Sequence, residues 1–146
     1  MRSRTARWFE TKVAYDKVME DGVQRKVKEA YVVDAVNFTD AEVKITKEMQ
    51  GYGQSVEVVE EKIAPYGEVF FSDDADADKW YKSKLQFITI DEKTDKEKKS
   101  NVLYLVQGSS LENARKNIDE VMGGTMIDYV IVSVSETTIM DVFENK

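Results

Sequence analysis

The sequence predicts an α+β fold in which a β-β-α-β(-β) unit occurs twice, giving a largely antiparallel sheet that carries two equivalent helices about a pseudo-twofold axis. Three observations predict it. The chain matches itself at a nearly fixed offset, the hydrophobic period switches at the same place in each half, and the same cap residue types bracket both helical stretches. At an offset of 72, Trp8, Lys12, Glu20 and Lys26 meet Trp80, Lys84, Glu92 and Lys98. One inserted residue moves the offset to 73, and Tyr31, Val33, Ala41, Ile45, Met49 and Gly51 then meet Tyr104, Val106, Ala114, Ile118, Met122 and Gly124. The order is kept to Phe70 over Phe143.

In the first half, Phe9, Thr11, Val13 and Tyr15 alternate with Trp8, Glu10, Lys12 and Ala14, the two-residue period of a half-buried strand. Tyr81, Ser83, Leu85 and Phe87 repeat it. A polar stretch follows in each half, around Asp21-Gly22 and Asp91 to Lys99, before apolar runs through Tyr31 and Tyr104, so two strands joined by a hairpin are expected. Next, Phe38, Ala41, Ile45 and Met49 recur at helical spacing, as do Leu111, Ala114, Ile118 and Met122. Asn37 and Ser110 precede them as N-caps, and Gly51 and Gly124 follow as left-handed C-caps. Val56 to Ile63 and Val130 to Val134 read as third strands, with Pro65 ending the first of them or placing it at an edge. Glu68 to Phe71 and Met140 to Phe143 read as short fourth strands. A single unit has too few elements to bury its own apolar face, so residues 1–146 are expected to form one domain from repeats 7–71 and 79–143, joined by the acidic linker 72–78.

Composition narrows the chemistry. The 146 residues include no Cys and no His, which removes disulfides, thiolate and imidazole metal sites, cysteine nucleophiles and histidine-based triads. Asp74-x-Asp76-x-Asp78 imitates the start of a calcium loop, but Lys79 stands where glycine is needed and Leu85 where the bidentate glutamate is needed. Glycine pairs follow helices instead of preceding them, so no phosphate loop is present. Ser109-Ser110 lacks an activating base and reads as a cap. Neither a metal nor a cofactor is expected, nor is enzymatic activity. The start MRSRTARWFETK carries no apolar run of the secretory kind and no stretch of 18 apolar residues occurs, so a cytoplasmic protein without a membrane partner is expected.

The strings Trp8-Phe9-Glu10-Thr11-Lys12, Phe38-Thr39-Asp40-Ala41-Glu42, Trp80-Tyr81-Lys82-Ser83-Lys84-Leu85 and Ile139-Met140-Asp141-Val142-Phe143 resemble the signatures of an uncharacterised family. It is a domain of unknown function of about this size, from gut anaerobic bacteria and their phages or mobile elements. The resemblance covers the whole chain and implies no catalytic residues. It implies a cytoplasmic setting linked to phage or element metabolism.

Net charge is −7, yet segments 1–32, 33–78, 79–102 and 103–146 carry +3, −9, +3 and −4. Both hairpins are basic and both later segments acidic. If alternation holds, Trp8 with Lys12 and Trp80 with Lys84 share a sheet face, an arrangement suited to stacking bases and contacting phosphates. Arg25, Lys26 and Lys98 extend that candidate surface. The competing account places both tryptophans in a second apolar layer, since paired large aromatics are usually structural. The expected function is a non-enzymatic binding or adaptor domain with a protein partner, because the acidic balance opposes nonspecific nucleic-acid affinity. The alternatives are single-stranded nucleic-acid binding through the Trp/Lys face, and sequestration of a small anionic ligand between the repeats. The strand edge at Pro65 would also serve a homodimer.

Overall fold

The computed structural model describes residues 1–144. Its elements run β1 (Arg2–Arg4), β2 (Trp8–Val18), β3 (Gln24–Asp34), α1 (Phe38–Glu48), β4 (Gln54–Ile63), β5 (Glu68–Phe71), β6 (Lys79–Ile90), β7 (Glu97–Gly108), α2 (Leu111–Gly123), β8 (Asp128–Glu136) and β9 (Ile139–Phe143). The order β-β-α-β-β thus occurs twice, and the fold is α+β. The strands form two sheets, each mostly antiparallel with one parallel pair, where the sequence suggested one.

The chain divides into two compact units, and the boundaries are not those of the sequence repeats. One unit, here the β2 unit, comprises Ala6–Ala64 and Thr138–Lys146; the other, the β6 unit, comprises Met1–Thr5 and Pro65–Thr137. Each short fourth strand belongs to the unit built on the other half's hairpin. β9 pairs in parallel with β3, from Ala30↔Ile139 to Val33↔Phe143, and β5 pairs in parallel with β7, from Glu68↔Tyr104 to Phe70↔Val106. A parallel neighbour cannot come from a tight hairpin, because it needs a long connection. Between β3 and β9 the connection includes the passage of the chain through the other unit; between β5 and β7 it is the 72–78 turn and β6.

The β2 unit holds the sheet β4-β2-β3-β9. β2 and β3 pair without interruption from Trp8↔Asp34 to Val18↔Gln24, and their hairpin turns through Gly22 at φ 80°, a left-handed position that glycine adopts without a Cβ penalty. The alternation in β2 works as read: Phe9, Val13 and Tyr15 pack with Tyr31 and Val33 against Ala41 and Ile45 of α1 and Met49 at its C-cap. Asn37 caps α1, its side-chain oxygen accepting from the Asp40 N–H at 2.8 Å. Gly51 is left-handed at φ 91°, as expected.

The β6 unit holds the sheet β1-β5-β7-β6-β8. β6 and β7 pair from Lys79↔Gly108 to Ile90↔Glu97, and Tyr81, Leu85, Tyr104, Val106 and Phe70 pack against Ala114, Ile118 and Met122 of α2. Ser110 caps α2 by accepting from the Asn113 N–H at 3.0 Å. Gly124 departs from expectation, with φ −83°. The helix end is closed instead by Thr125, whose N–H and hydroxyl both donate to the Met122 carbonyl, at 3.0 and 2.7 Å, so no left-handed residue is required.

Residues 72–78 do not link the units. They lie inside the β6 unit, between β5 and β6, as a turn with its own hydrogen bonds. The Ser72 hydroxyl accepts from the Asp74 N–H, and the Asp74 carboxylate from the Asp76 N–H. Gln107 holds both ends, accepting from the Ser72 N–H at 2.8 Å and donating to the Ala77 carbonyl at 2.9 Å. Strand β1, which the sequence did not suggest, adds to β5 at the sheet edge, Arg2 facing Phe71 in register with its guanidinium 4.1 Å from the centre of that ring.

Candidate functional site

Two of the seven residues singled out from the sequence, Trp8 and Trp80, are not at the surface. Trp8 and Trp80 are 1% and 2% exposed, so neither indole presents a face for a base to stack on. The proposed aromatic half of the site is core. Trp80 sits edge-to-face on Phe71, with centroids 5.6 Å apart, and its carbonyl accepts from both the N–H and the hydroxyl of Thr137. The Trp8 carbonyl accepts from the Ala64 N–H at 2.9 Å. Arg25, Lys26 and Lys98 lie toward the far ends of the hairpins: Arg25 is 3.9 Å from Asp21, Lys26 stands opposite Asp16, and Lys98 opposite Thr89. Lys12 and Lys84 occupy matching places in the two sheets, and their surroundings differ.

In the β2 unit the face around Lys12 is neutralised. Cross-strand register sets Glu10 against Lys62 and Lys12 against Glu60, and both pairs close, at 3.1 and 3.4 Å. The Glu10 carboxylate beside Lys62 holds that ammonium above its ordinary pKa. Between them lies a recess of about 140 Å³ floored by Thr11 and Ala30. Alternating signs on adjacent strands leave little net field.

The β6 unit carries a different set on the same strands. Lys82 replaces the Glu10 of the other sheet, and both Lys82 and Lys84 are exposed on β6. Their neighbours across the β6–β8 register are Ser135 and Ser133, and across the β6–β7 register Leu105 and Leu103. Lys82, Lys84, Ser133, Ser135, Leu103 and Asn101 line an open groove of about 570 Å³. Among the described residues neither lysine has a carboxylate within ion-pair distance. Two ammonium groups two residues apart on one strand face, roughly 7 Å along the strand, with hydroxyls beside them, form a surface that takes carboxylate or phosphate oxygens. Sequence comparison of the halves exposes the Glu10-to-Lys82 change, but the serines become neighbours only through the register with β8, which shifts between Lys84 and Leu85.

A model of the family described as "Domain of unknown function (DUF4494)" matches residues 7–145. The chain belongs to this family. No curated protein and no solved structure matches it. Among the described residues of this DUF4494 chain, no group of three or more acidic side chains is placed to hold a metal ion, and no helix is long and apolar enough to cross a membrane.

The most perturbed ionisable groups of the DUF4494 chain are phenols in its cores. The Tyr15 and Tyr31 hydroxyls both donate to Oε1 of Glu29, at 2.5 and 3.1 Å. Burial first, then the hydrogen bond and charge of Glu29, push Tyr15 up to about 12, and Tyr31 is raised further by burial and the same carboxylate. Burial, with Glu68, lifts Tyr104 to about 12; the hydrogen bond to Asp119 does the same for Tyr129. Each folded-state pKa lies above the unfolded value near 10, so the stabilisation is complete below about pH 10 and is lost as pH rises through 12. Denaturant stability is therefore expected to fall steeply above pH 10. Glu29→Gln should bring the Tyr15 titration, followed by absorbance near 295 nm, back toward 10; an unmoved titration would count against the cluster.

Proposed function

We propose that this DUF4494 chain is a non-enzymatic binding domain whose site is the Lys82–Lys84 face of the β6 unit, and that it takes an acidic surface of a protein partner. The observation that carries the reading is the contrast between matched positions. Glu10 and Glu60 close ion pairs with Lys62 and Lys12 on one sheet, while the other presents Lys82 and Lys84 beside Ser135 and Ser133 with no counter-charge. An acidic chain of net charge −7 that keeps two unneutralised lysines together in one open groove concentrates its attraction for anions there. The absence of His and Cys supports a role without chemistry. Single-stranded nucleic acid is the weaker reading, since both tryptophans are buried and stacking supplies much of such affinity. The cytoplasmic, phage or mobile-element setting implied by the sequence resemblance belongs to this reading as well.

The test is a titration of the whole chain with a polyglutamate peptide and, separately, with oligo(dT), each at low and at high salt. Amide shifts at Lys82, Lys84, Ser133 and Ser135 on adding polyglutamate, weakened by salt, are the expected result. The Lys82→Glu/Lys84→Glu variant should bind at least about tenfold more weakly, because charge reversal replaces attraction with repulsion. Equal binding by the variant would overturn the assignment, and preference for oligo(dT) would restore the nucleic-acid reading.

A further inference from the structure

Strand β8 closes one side of the five-stranded sheet, with β6 as its only neighbour among the described residues, so the backbone groups on its outer side are open to pairing. The Thr137 N–H bonds to the Trp80 carbonyl. Alternation along an antiparallel strand then turns the N–H groups of Ser135 and Ser133 toward β6 and those of Val134 and Glu136 outward. From Tyr129 to Ser135 the strand contains neither a charge nor a proline, and Val130 and Val132 are 47% and 51% exposed.

The corresponding edge of the other sheet is guarded. β4 carries Glu57, Glu60, Glu61 and Lys62, begins beside a left-handed Ser55 at φ 58°, and shifts register against β2 in two places. Charges and irregularities of this kind are how native edges resist pairing. β8 has a single shift, and its charges, Asp128 and Glu136, stand only at its two ends.

Neighbouring strands lie about 4.8 Å apart, so a strand added to β8 would run roughly 10 Å from β6. Only Ser133 and Ser135 stand between the two lysines and that added strand, and a lysine stem of about 6 Å passes over a side chain so small. We propose that β8 is an acceptor edge for an extended acidic segment of a partner protein, which adds as a further strand and sets its carboxylates toward Lys82 and Lys84 across Ser135 and Ser133. The proposal rests on the lysine face being the binding site and adds to it a mode, strand addition, in which backbone bonds give affinity and alternate side chains give specificity. A second copy of this chain fits less well. Antiparallel pairing of β8 with its own copy keeps both lysine faces on the same side and gathers four ammonium groups there. Nucleic acid cannot use the edge, since its backbone has no pattern of donors and acceptors to match a strand.

The experiment is amide hydrogen exchange on the full chain with the decapeptide (Glu-Val)5, which puts carboxylates on one face when extended, against (Lys-Val)5 and a ten-residue oligo(dT) as controls. At saturating (Glu-Val)5 the Val134 and Glu136 amides should exchange at least about tenfold more slowly, and the effect should vanish in Lys82→Glu/Lys84→Glu. Salt-sensitive binding that leaves those two amides unprotected would overturn strand addition while leaving the lysine face as the site. Lack of binding to (Glu-Val)5 would overturn both. Protection that appears without peptide and grows with protein concentration would make a second copy the occupant, and stronger binding of oligo(dT) would make it nucleic acid; either result removes the acidic segment.

Discussion

Removing residues 139–146 is expected to abolish the cooperative fold of the β2 unit, although none of them belongs to its hairpin, its helix or β4. Strand β9 supplies Ile139 and Val142, 6% and 7% exposed, and the Phe143 ring, which stacks on Tyr31 with centroids 5.5 Å apart. Burying an aliphatic side chain of this size is worth about 1.5–3 kcal/mol, and each ladder hydrogen bond to β3 adds about 0.5–1.5 kcal/mol. The loss approaches the 5–15 kcal/mol that holds a typical domain together. It also strips the outer edge of β3, whose Tyr31, Val32 and Val33 are buried in the intact chain, and so turns a central strand into an apolar edge open to aggregation. The truncated chain should lose the dispersed methyl signals of Val33, Ile45 and Met49 and come out largely insoluble. A truncation that stays soluble and melts within about 3 °C of the full chain would show that β9 is an ornament.

The same strand marks where the sequence stops being legible. Hairpins, helices and caps could be read because each depends on residues within a dozen positions: Phe9, Val13 and Tyr15 alternate, Ala41, Ile45 and Met49 recur at helical spacing, and Asn37 and Ser110 sit three residues before the amides they cap. The destination of a four- or five-residue strand is set by which sheet offers it an apolar strip, and no local pattern records that. Hence the repeats 7–71 and 79–143 are continuous in sequence while the units that fold are not. Charge misled in the same way at 72–78, where aspartates that look like a solvated linker serve as turn acceptors clamped by Gln107. Alternation correctly put Trp8 and Trp80 opposite the helix-facing residues. It is silent on whether that second face meets water, and burial removed them from the site. Lys84 is legible as a candidate, and Lys82 only as the residue that stands where the first half has Glu10. Their serine neighbours needed a register that counting from the halves does not supply, because β8 gains a residue against β6 beside Lys84.

Replacing Phe70 with alanine is expected to cost about 3–5 kcal/mol, the range for a fully buried phenylalanine, and to cost clearly more than the same change at Phe143. The two residues correspond in sequence and in strand position, each lying opposite a valine of its parallel neighbour, Val106 and Val33. Their environments differ. Phe70 is 0% exposed, lies 5.1 Å from the Tyr104 ring and fills the centre of the core formed with Tyr81, Leu85 and Ile118. Phe143 is only partly buried and packs from the rim of its core. β5 also differs from β9 in lying inside its sheet, between β1 and β7, so the Phe70 cavity has strands on both sides that restrict collapse, whereas β9 can shift outward. A cavity that cannot collapse keeps its full cost, and a rim site recovers part of it by relaxing. Denaturant midpoints for the two variants should therefore separate by an amount equivalent to about 2 kcal/mol. Coincident midpoints would mean that the equivalence in sequence, and not the place in the sheet, sets the energy of the exchanged strands.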